Sequence, residues 1–428
     1  MEDSKYVLKF KAKINPSKHF GLYMAQHMVE EPEEDREEYL ELVDFDSLKA
    51  ICSAQRDGMP CEIVEEIFGQ YNLIYDVEFE DGFRWIARIP LVHRQYQCDE
   101  DPEHEKEVRL KLFESMLASQ TFARMKKSVF APAIYLAFPD NDHAVGVPFF
   151  LMQKLGDWRL DETIGHKTDS GLRTTFSDLA REMVSLASPP YFSQIGSLFQ
   201  RDNDFQVGPL LSYTSLLDDP VQLDKRGPYS TVEGYFLAAL NRHTSTALRD
   251  ANRELYYQVT RLRQMLPHFI DQRFNAGPFI LSPFDWDGRH IFTSEDSTLS
   301  GLVDWDYATV VPLQAFFRYP TFMTRDWATG IKSPTMEHYR HVFRECLAEL
   351  QDETELPLME LLDQSRWFSL FDEAVQSSEL GRKALPQLEK AMGMQVESKK
   401  MEVKAIPVVR GMPILKEVVK NIKVGSPS

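Results

Sequence analysis

The sequence predicts an α+β chain with a smaller β-rich N-terminal part and a larger, mostly helical C-terminal part, and three observations predict it. In NLIYDVEFEDGFRWIARIP, residues 72–90, apolar and polar residues alternate on both sides of Asp81-Gly82, the period of half-buried strands around a tight turn. A stretch with helical spacing, residues 103–125, is followed by two more apolar runs, APAIYLAF and VGVPFFLMQKL. Beyond residue 157 the period becomes helical, as in GLRTTFSDLAREMVSLA and TVEGYFLAALNRHTSTALRDANRELYYQVTRLRQML, with proline-rich breaks between segments.

The elements can be justified in order. Residues 1–60 read as an extension packed on the main body, with an acidic run from Glu30 to Glu38 that suits a solvated face. CEIVEEIF, from Cys61, has helical spacing. Asp81-Gly82 closes a hairpin, because both residues tolerate the positive φ of such turns. The apolar residues Val108, Leu110, Leu112, Phe113, Met116, Leu117 and Phe122 then suit an amphipathic helix. The two following strands end at a polar turn, Gly156-Asp157. The resulting division is 1–60, 61–155, 156–396 and a tail, 397–428, with seven Lys/Arg against three Glu. That basic tail is expected to dock on the acidic body, with partner binding as the alternative.

Composition narrows the function. With 428 residues, 43% of them hydrophobic, the chain can bury a large core. A net charge of −18 argues against nucleic-acid binding and fits a cationic or neutral small partner better. Cys52, Cys61, Cys98 and Cys346 form no close-spaced pair of the kind zinc or redox sites use, so reduced thiols are expected. The N-terminus has no apolar signal core and no run of 18 apolar residues occurs. A cytoplasmic location with no membrane span is therefore expected.

The chemistry concentrates in LSPFDWDGRHIF, residues 281–292, and SGLVDWDYA, residues 300–308. Asp285 precedes one short strand and Asp304 ends the next, with the turn SEDST between them. A lone aspartate usually caps a turn or helix. A pair in this arrangement can face one site, and phosphoryl transfer needs just such a pair, one carboxylate for a metal ion and one to orient or deprotonate an acceptor hydroxyl.

These segments resemble the aminoglycoside phosphotransferase and choline kinase-like family, most closely its fungal members. The family pattern H-x-D-x-x-x-x-N-I-L followed by G-x-I-D-W-E/D-x-A is similar to the two stretches above. IFGQYNLIYDVEFEDGFRWIARIP, VFAPAIYLAF and VGVPFFLMQKLGDW resemble the opening, strand and hinge of its nucleotide lobe. FSQIGSLF, GPYSTVEGYF and VVPLQAFFRYPTFMTRDW resemble parts of its helical lobe, so the likeness covers about residues 61–330. The resemblance implies a bilobed protein kinase-like fold, ATP and Mg²⁺ as cofactors, and a small-molecule acceptor. By the same resemblance Asp285 is the catalytic aspartate and Asp304 the magnesium ligand, while Asp306 orients its loop. Gly69 and Asn72 lie over the phosphates, Arg88 grips a phosphate, and Glu114 pairs with Arg88, Glu107 being the alternative. Gln153 and Leu155 fall at the hinge toward the nucleotide.

Two positions depart from the family pattern. Pro283 replaces a histidine that braces the loop, which affects support more than chemistry. His290 replaces the asparagine that gives the metal an oxygen; imidazole suits Mn²⁺ better than Mg²⁺. His290 is therefore expected at the metal, altering its preference or impairing transfer, or else packed under the hairpin and binding nothing. Asp287 is expected in a surface turn, with a contribution to the metal as the alternative. Two functions stay open: an ATP-dependent small-molecule phosphotransferase, and a degenerate kinase-like protein that binds nucleotide or metabolite without turnover.

Overall fold

The computed structural model describes residues 39–68, 71–91, 102–126, 131–156, 158–211, 226–329 and 332–394. The acidic run Glu30–Glu38, Gly69, Cys98, Asp157 and the basic tail lie outside the described residues. Along the chain come helix α1 (Phe45–Ala54), strands β1 (Cys61–Phe68), β2 (Asn72–Phe79) and β3 (Arg84–Pro90), helix α2 (Pro102–Met125), and strands β4 (Ile134–Phe138), β5 (Phe149–Gln153) and β6 (Trp158–Arg159). Helix α3 (Asp169–Leu186) precedes β7 (Gly196–Arg201) and β8 (Asp204–Gly208), then α4 (Val232–Arg249) and α5 (Arg253–Met265). Four short strands follow, β9 (Phe279–Ser282), β10 (Ile291–Thr293), β11 (Leu299–Leu302) and β12 (Thr309–Pro312), before α6 (Pro334–Glu349), α7 (Leu358–Gln376) and α8 (Ser378–Ala391). The chain is thus α+β, with an antiparallel sheet first and a largely helical region after it.

Two compact units emerge. Among the described residues the first comprises those up to Leu186 together with Pro283–Asp306 and Tyr319–Met359, the second those of Ala187–Ser282, Tyr307–Arg318 and the ones from Glu360 onward. In the first unit a five-stranded antiparallel sheet runs in the order β1-β2-β3-β5-β4. The expected hairpin is β2–β3, with Gly82 at φ +80° in its turn. CEIVEEIF, whose spacing reads as helical, is instead strand β1, paired with β2 from Cys61↔Phe79 to Phe68↔Leu73 with a bulge after Ile63. Its β-branched Ile63, Val64 and Ile67 favour a strand, and a neighbouring strand to pair with decides the matter, since β preference depends on context more than helix preference does.

Side-chain alternation on β3 sets up the site. Ala87 and Ile89 enter a core with Leu73, Tyr75, Val77, Phe149 and Leu151, covered by Leu48 and Cys52 of α1. Each such residue contributes roughly 1.5–3 kcal/mol on burial. Arg88, one residue out of phase, therefore lies on the opposite face, the guanidinium 5.7 Å from the Phe150 ring. Phe113 of α2 meets Phe150 edge-on on that face. Cys52, Cys61 and Cys346 are free and buried.

In the second unit the structure adds a four-stranded sheet, β8-β7-β12-β9, to what the sequence presents as helical. Its strands have only four to six residues, too few for a period to stand out. In the same unit α4 meets α7 through Phe236, edge-on to Phe371 at 5.2 Å, and Phe269, in the 3₁₀ turn after α5, stacks on Phe371 at 4.0 Å. Among the described residues no helix is long and apolar enough to cross a membrane. The close approach of α8 depends on Gly381, where a Cβ would sit 2.6 Å from the Ala374 carbonyl oxygen and 2.0 Å from the Gln258 amide. Gly381→Ala should therefore cost about 1–3 kcal/mol through overpacking, seen as a lower urea midpoint with an unchanged m-value.

Candidate functional site

The site lies within the first unit and is held by short-range backbone devices. β10 and β11 pair Ile291↔Leu302 and Phe292↔Gly301, and the turn between them places Ser297 at φ +72°. Helix α3 carries this hairpin: Thr175 Oγ1 donates to the Ser297 carbonyl at 2.7 Å, and Asp178 Oδ2 accepts from the Leu299 amide at 3.0 Å. Just before β10, Gly288–His290 form a single 3₁₀ turn whose first residue is capped by Asp287. The Val303 amide donates to the His290 carbonyl at 2.9 Å. That bond sets His290 beside Asp304, whose backbone adopts a left-handed φ of +66°, a conformation aspartate tolerates better than most residues.

Six side chains meet there, those of His290, Asp285, Asp304, Arg88, Asp306 and Asn72. His290 Nε2 stands 3.6 Å from Asp285 Oδ2 and 3.5 Å from Asp304 Oδ2. Arg88 Nη2 donates to Asp304 Oδ1 at 3.1 Å and to Asp306 Oδ2 at 2.7 Å, and Asn72 Nδ2 donates to Asp306 Oδ2 at 3.3 Å. Asp285 Oδ1 also accepts from Thr321 Oγ1 at 3.0 Å, and Arg289 Nη2 lies 3.5 Å from its other oxygen.

The electrostatics divide the acids. Burial would push the Asp304 carboxyl up, but His290 and Arg88 outweigh it and hold it below the usual range. At Asp306 burial prevails over Arg88, and the neighbouring Asp304 charge adds to it, so this carboxyl is raised. Burial would lower the His290 imidazole, yet Asp304 and Asp285 raise it overall. The site therefore pulls its two neighbouring carboxyls apart, Asp304 low and Asp306 high, and raises the imidazole beside Asp304.

Asp287 is not at a surface turn. It is 4% exposed, with Arg325 Nη2 on Oδ2 at 2.7 Å and Arg289 Nε on Oδ1 at 3.0 Å. Burial tends to raise its carboxyl, but Arg325 and Arg289 together bring it down to about 2. Arg289, Thr321 and Arg325 are the site residues that residue-by-residue reading overlooks, whereas Asp287 is read but placed in a surface turn. The i, i+4 spacing of Thr321 and Arg325 in TFMTRDW was the available signal.

The other expected residues fall as follows. Both carboxylates on Arg88 come from the segment after β11, so neither Glu114 nor Glu107 is its partner; Glu107 pairs with Lys111 at 2.8 Å and Glu114 is half-buried on α2. Gln153 Oε1 accepts from the Ala133 amide and from Arg124, each at 3.3 Å, and Leu155 follows β5 as a half-buried residue. Pro283 directly follows β9.

The implied magnesium ion can be tested against this donor set. Among the described residues no three His, Cys, Asp or Glu side chains are grouped to hold a metal alone. Mg²⁺ commonly takes one or two protein carboxylates and completes its shell with phosphate oxygens and water. Asp304, with its side chain 32% exposed, and Asp285 offer such oxygens, so the residues fit an ion that arrives with a phosphate.

No family model matches the chain. Solved structures similar to it include a thermostable aminoglycoside phosphotransferase APH(4)-Ia mutant in ternary complex with AMP-PNP and hygromycin B, at 12% identity and TM-score 0.47, covering 81% of this chain and 100% of that one. Another is the GDP and kanamycin complex of an aminoglycoside phosphotransferase of the APH(2'') type, at 14% identity and TM-score 0.42, covering 82% and 99%. A third is macrolide 2'-phosphotransferase from Brachybacterium faecium, at 13% and 0.40, covering 81% and 94%. The structural neighbours are small-molecule phosphotransferases. Among curated proteins, altered inheritance of mitochondria protein 9 of Lodderomyces elongisporus is 24% identical over 156 residues, 35% of this chain and 23% of that protein. The match thus spans less than a quarter of that relative's length. That relative is a mitochondrial protein, which overturns the cytoplasmic expectation. Mitochondrial addresses are amphipathic and need no apolar signal core, so the pattern behind the cytoplasmic expectation does not separate the two locations.

Asp287 gives this site a pH signature. Its folded-state carboxyl lies below its ordinary 3.8, so its stabilisation is complete above that value and fades as pH falls toward about 2. Asp287→Asn should lose about 2 kcal/mol at neutral pH and progressively less below pH 4, as urea denaturation at pH 7 and pH 3 would register.

Proposed function

We propose that this chain is an ATP-dependent phosphotransferase that moves a phosphoryl group to a hydroxyl of a small molecule. The observation that carries the reading is the convergence of Asp285, His290 and Asp304 with Arg88 in one cluster. A carboxylate for the acceptor, a carboxylate for a metal and a cation for phosphate are the parts this reaction requires.

In this reading Asp285 orients the acceptor hydroxyl and takes its proton, while Thr321 and Arg289 fix which carboxylate oxygen faces the acceptor. Arg88 neutralises phosphate charge as a planar fork, and Asp306 with Asn72 sets its direction. Asp304, with Asp285 beside it, would hold a divalent ion that screens phosphate charge. His290 next to both favours Mn²⁺ over Mg²⁺. The acidic composition favours a cationic acceptor through steering, and the curated relative's name supports a mitochondrial setting. A second reading, nucleotide binding without turnover, is favoured by one observation: His290 already spans the two carboxylates that transfer would use.

Two measurements separate these readings. Asp285→Ala should reduce ATP consumption by roughly 10²–10⁴-fold, as expected for loss of a general base, while nucleotide-dependent thermal stabilisation survives. Nucleotide stabilisation of the wild type with no consumption of ATP would favour the second reading, and no nucleotide effect with either metal would remove both. Thermal shifts with a non-hydrolysable ATP analogue should be larger with Mn²⁺ than with Mg²⁺, and His290→Asn should reverse that order.

A further inference from the structure

Strand β1 pairs with β2 on one side and, among the described residues, with no strand on the other. An edge of this kind presents a row of backbone N–H and C=O groups on which a further strand can form. Its side chains are open too: Val64 is 47% and Ile67 37% exposed, and Glu62, Glu65 and Glu66 are exposed beside them. The strand carries those three glutamates and no lysine or arginine.

Pairing assigns the faces of β1. Glu62 lies opposite Glu78, Glu65 opposite Asp76 and Ile67 opposite Ile74, and Ile74 lies opposite Arg88, so these three share the face of the sheet that bears Arg88. Ile63, on the other side of the bulge, packs against the core. Acids directly opposite acids weaken a sheet unless cations intervene. Arg84 and Lys154 engage Asp76, Arg84 also engages Glu78, and Lys49 reaches Glu62 at 3.4 Å. Among the described residues no hydrogen bond or ion pair engages Glu65. The edge is therefore short of positive charge at that position.

The chain contains a segment with the complementary pattern. In KYVLKFKAKI, residues 5–14, which lie outside the described residues, apolar Tyr6, Leu8, Phe10, Ala12 and Ile14 alternate with Lys5, Val7, Lys9, Lys11 and Lys13. Strict alternation gives a strand one apolar and one charged face. The residues between Ile14 and Tyr39, 24 in number, can extend to roughly 80 Å, so the tether sets no limit. We propose that residues 5–14 add to β1 as a sixth, antiparallel strand, with Lys9 opposite Glu65, Lys11 opposite Glu62 and Val7 opposite Ile67. Val7 is the apolar residue of the lysine face and Ile67 the apolar residue of the glutamate face. A parallel strand with Lys9 and Lys11 on the same two glutamates would set Lys13 against Ile67. The bulge after Ile63 puts that residue and Glu65 on opposite faces, so Phe10, next to Lys9, meets Ile63 on the core side. A slip of one residue would turn the lysines into the core. This proposal does not depend on phosphoryl transfer.

The test uses the full chain. A zero-length carbodiimide reagent, applied to a mixture of isotopically labelled and unlabelled copies, joins lysines to carboxylates in contact, and mass spectrometry reads which pairs formed and whether within one copy. Links of Lys9 to Glu65 and of Lys11 to Glu62 within one copy are expected. Hydrogen exchange gives a second readout. Replacing Lys9 and Phe10 together by proline removes two successive amide donors, one of which faces β1, and should speed exchange at the outward amides of β1 by about tenfold or more. Lys9→Glu should speed it as well, and adding Glu65→Lys should restore slow exchange. Circular dichroism checks that the variants keep their fold. Links formed solely between copies would place a second copy on this edge and overturn the proposal. So would links of Lys9 to Glu62 and Lys11 to Glu65, equal exchange in the wild type and the proline variant, or no recovery in the charge swap.

Discussion

Everything at the proposed active centre depends on one buried guanidinium. Arg88 is 5% exposed, yet it carries a full charge, and a lone ion at that depth would be prohibitively costly. It persists because two aspartates from more than two hundred residues away meet it. The dependence is mutual, since removing the arginine would leave those carboxylates facing each other in a poorly solvated place. Strand alternation puts Arg88 on that face, and the left-handed turn at Asp304 delivers its counter-ions.

A second layer holds the loop itself. Asp287 collects Arg289 and Arg325, and through Arg289 and Thr321 the arrangement extends to Asp285. The two layers differ in kind. Arg88 gathers two acids pulled in opposite directions, Asp304 held below the ordinary carboxylate range by His290 and Arg88 and Asp306 pushed above it by burial. Asp287 gathers bases and is ionised throughout the physiological range. A loop held by ion pairs beneath a contested charge balance would suit the phosphates of the proposed reaction.

The sequence made the larger features legible for physical reasons that can be named. The β2–β3 hairpin, the strands after it and most of the α2 face followed from period and turn chemistry, although Leu110, expected on that face, is exposed, and the convergence of Asp285 and Asp304 followed from their flanking strands. Strand β1 was misread because Ile63, Val64 and Ile67 fit either period, and only β2 decides between them. The partners of Arg88 were misassigned because a glutamate on α2 and an aspartate after β11 look alike to a local pattern, and only tertiary geometry separates them. Asp287 looked exposed because glycine follows it, and its burial comes from Arg325, 38 positions later. The strands β7, β8, β9 and β12 are too short to announce themselves.

The long separation between Arg88 and its aspartates bears on how the protein is made. Synthesis runs from the N-terminus at about 5–20 residues per second, so the sheet bearing Arg88 leaves the ribosome roughly ten seconds or more before Asp304 and Asp306 exist. During that interval the guanidinium has no native counter-ion, and the face around it cannot close as it does in the finished protein. Contacts of this range also make folding slow. The nascent sheet is therefore a natural client for chaperones, and a chain truncated before residue 306 would retain the strands but lack the charges that complete them.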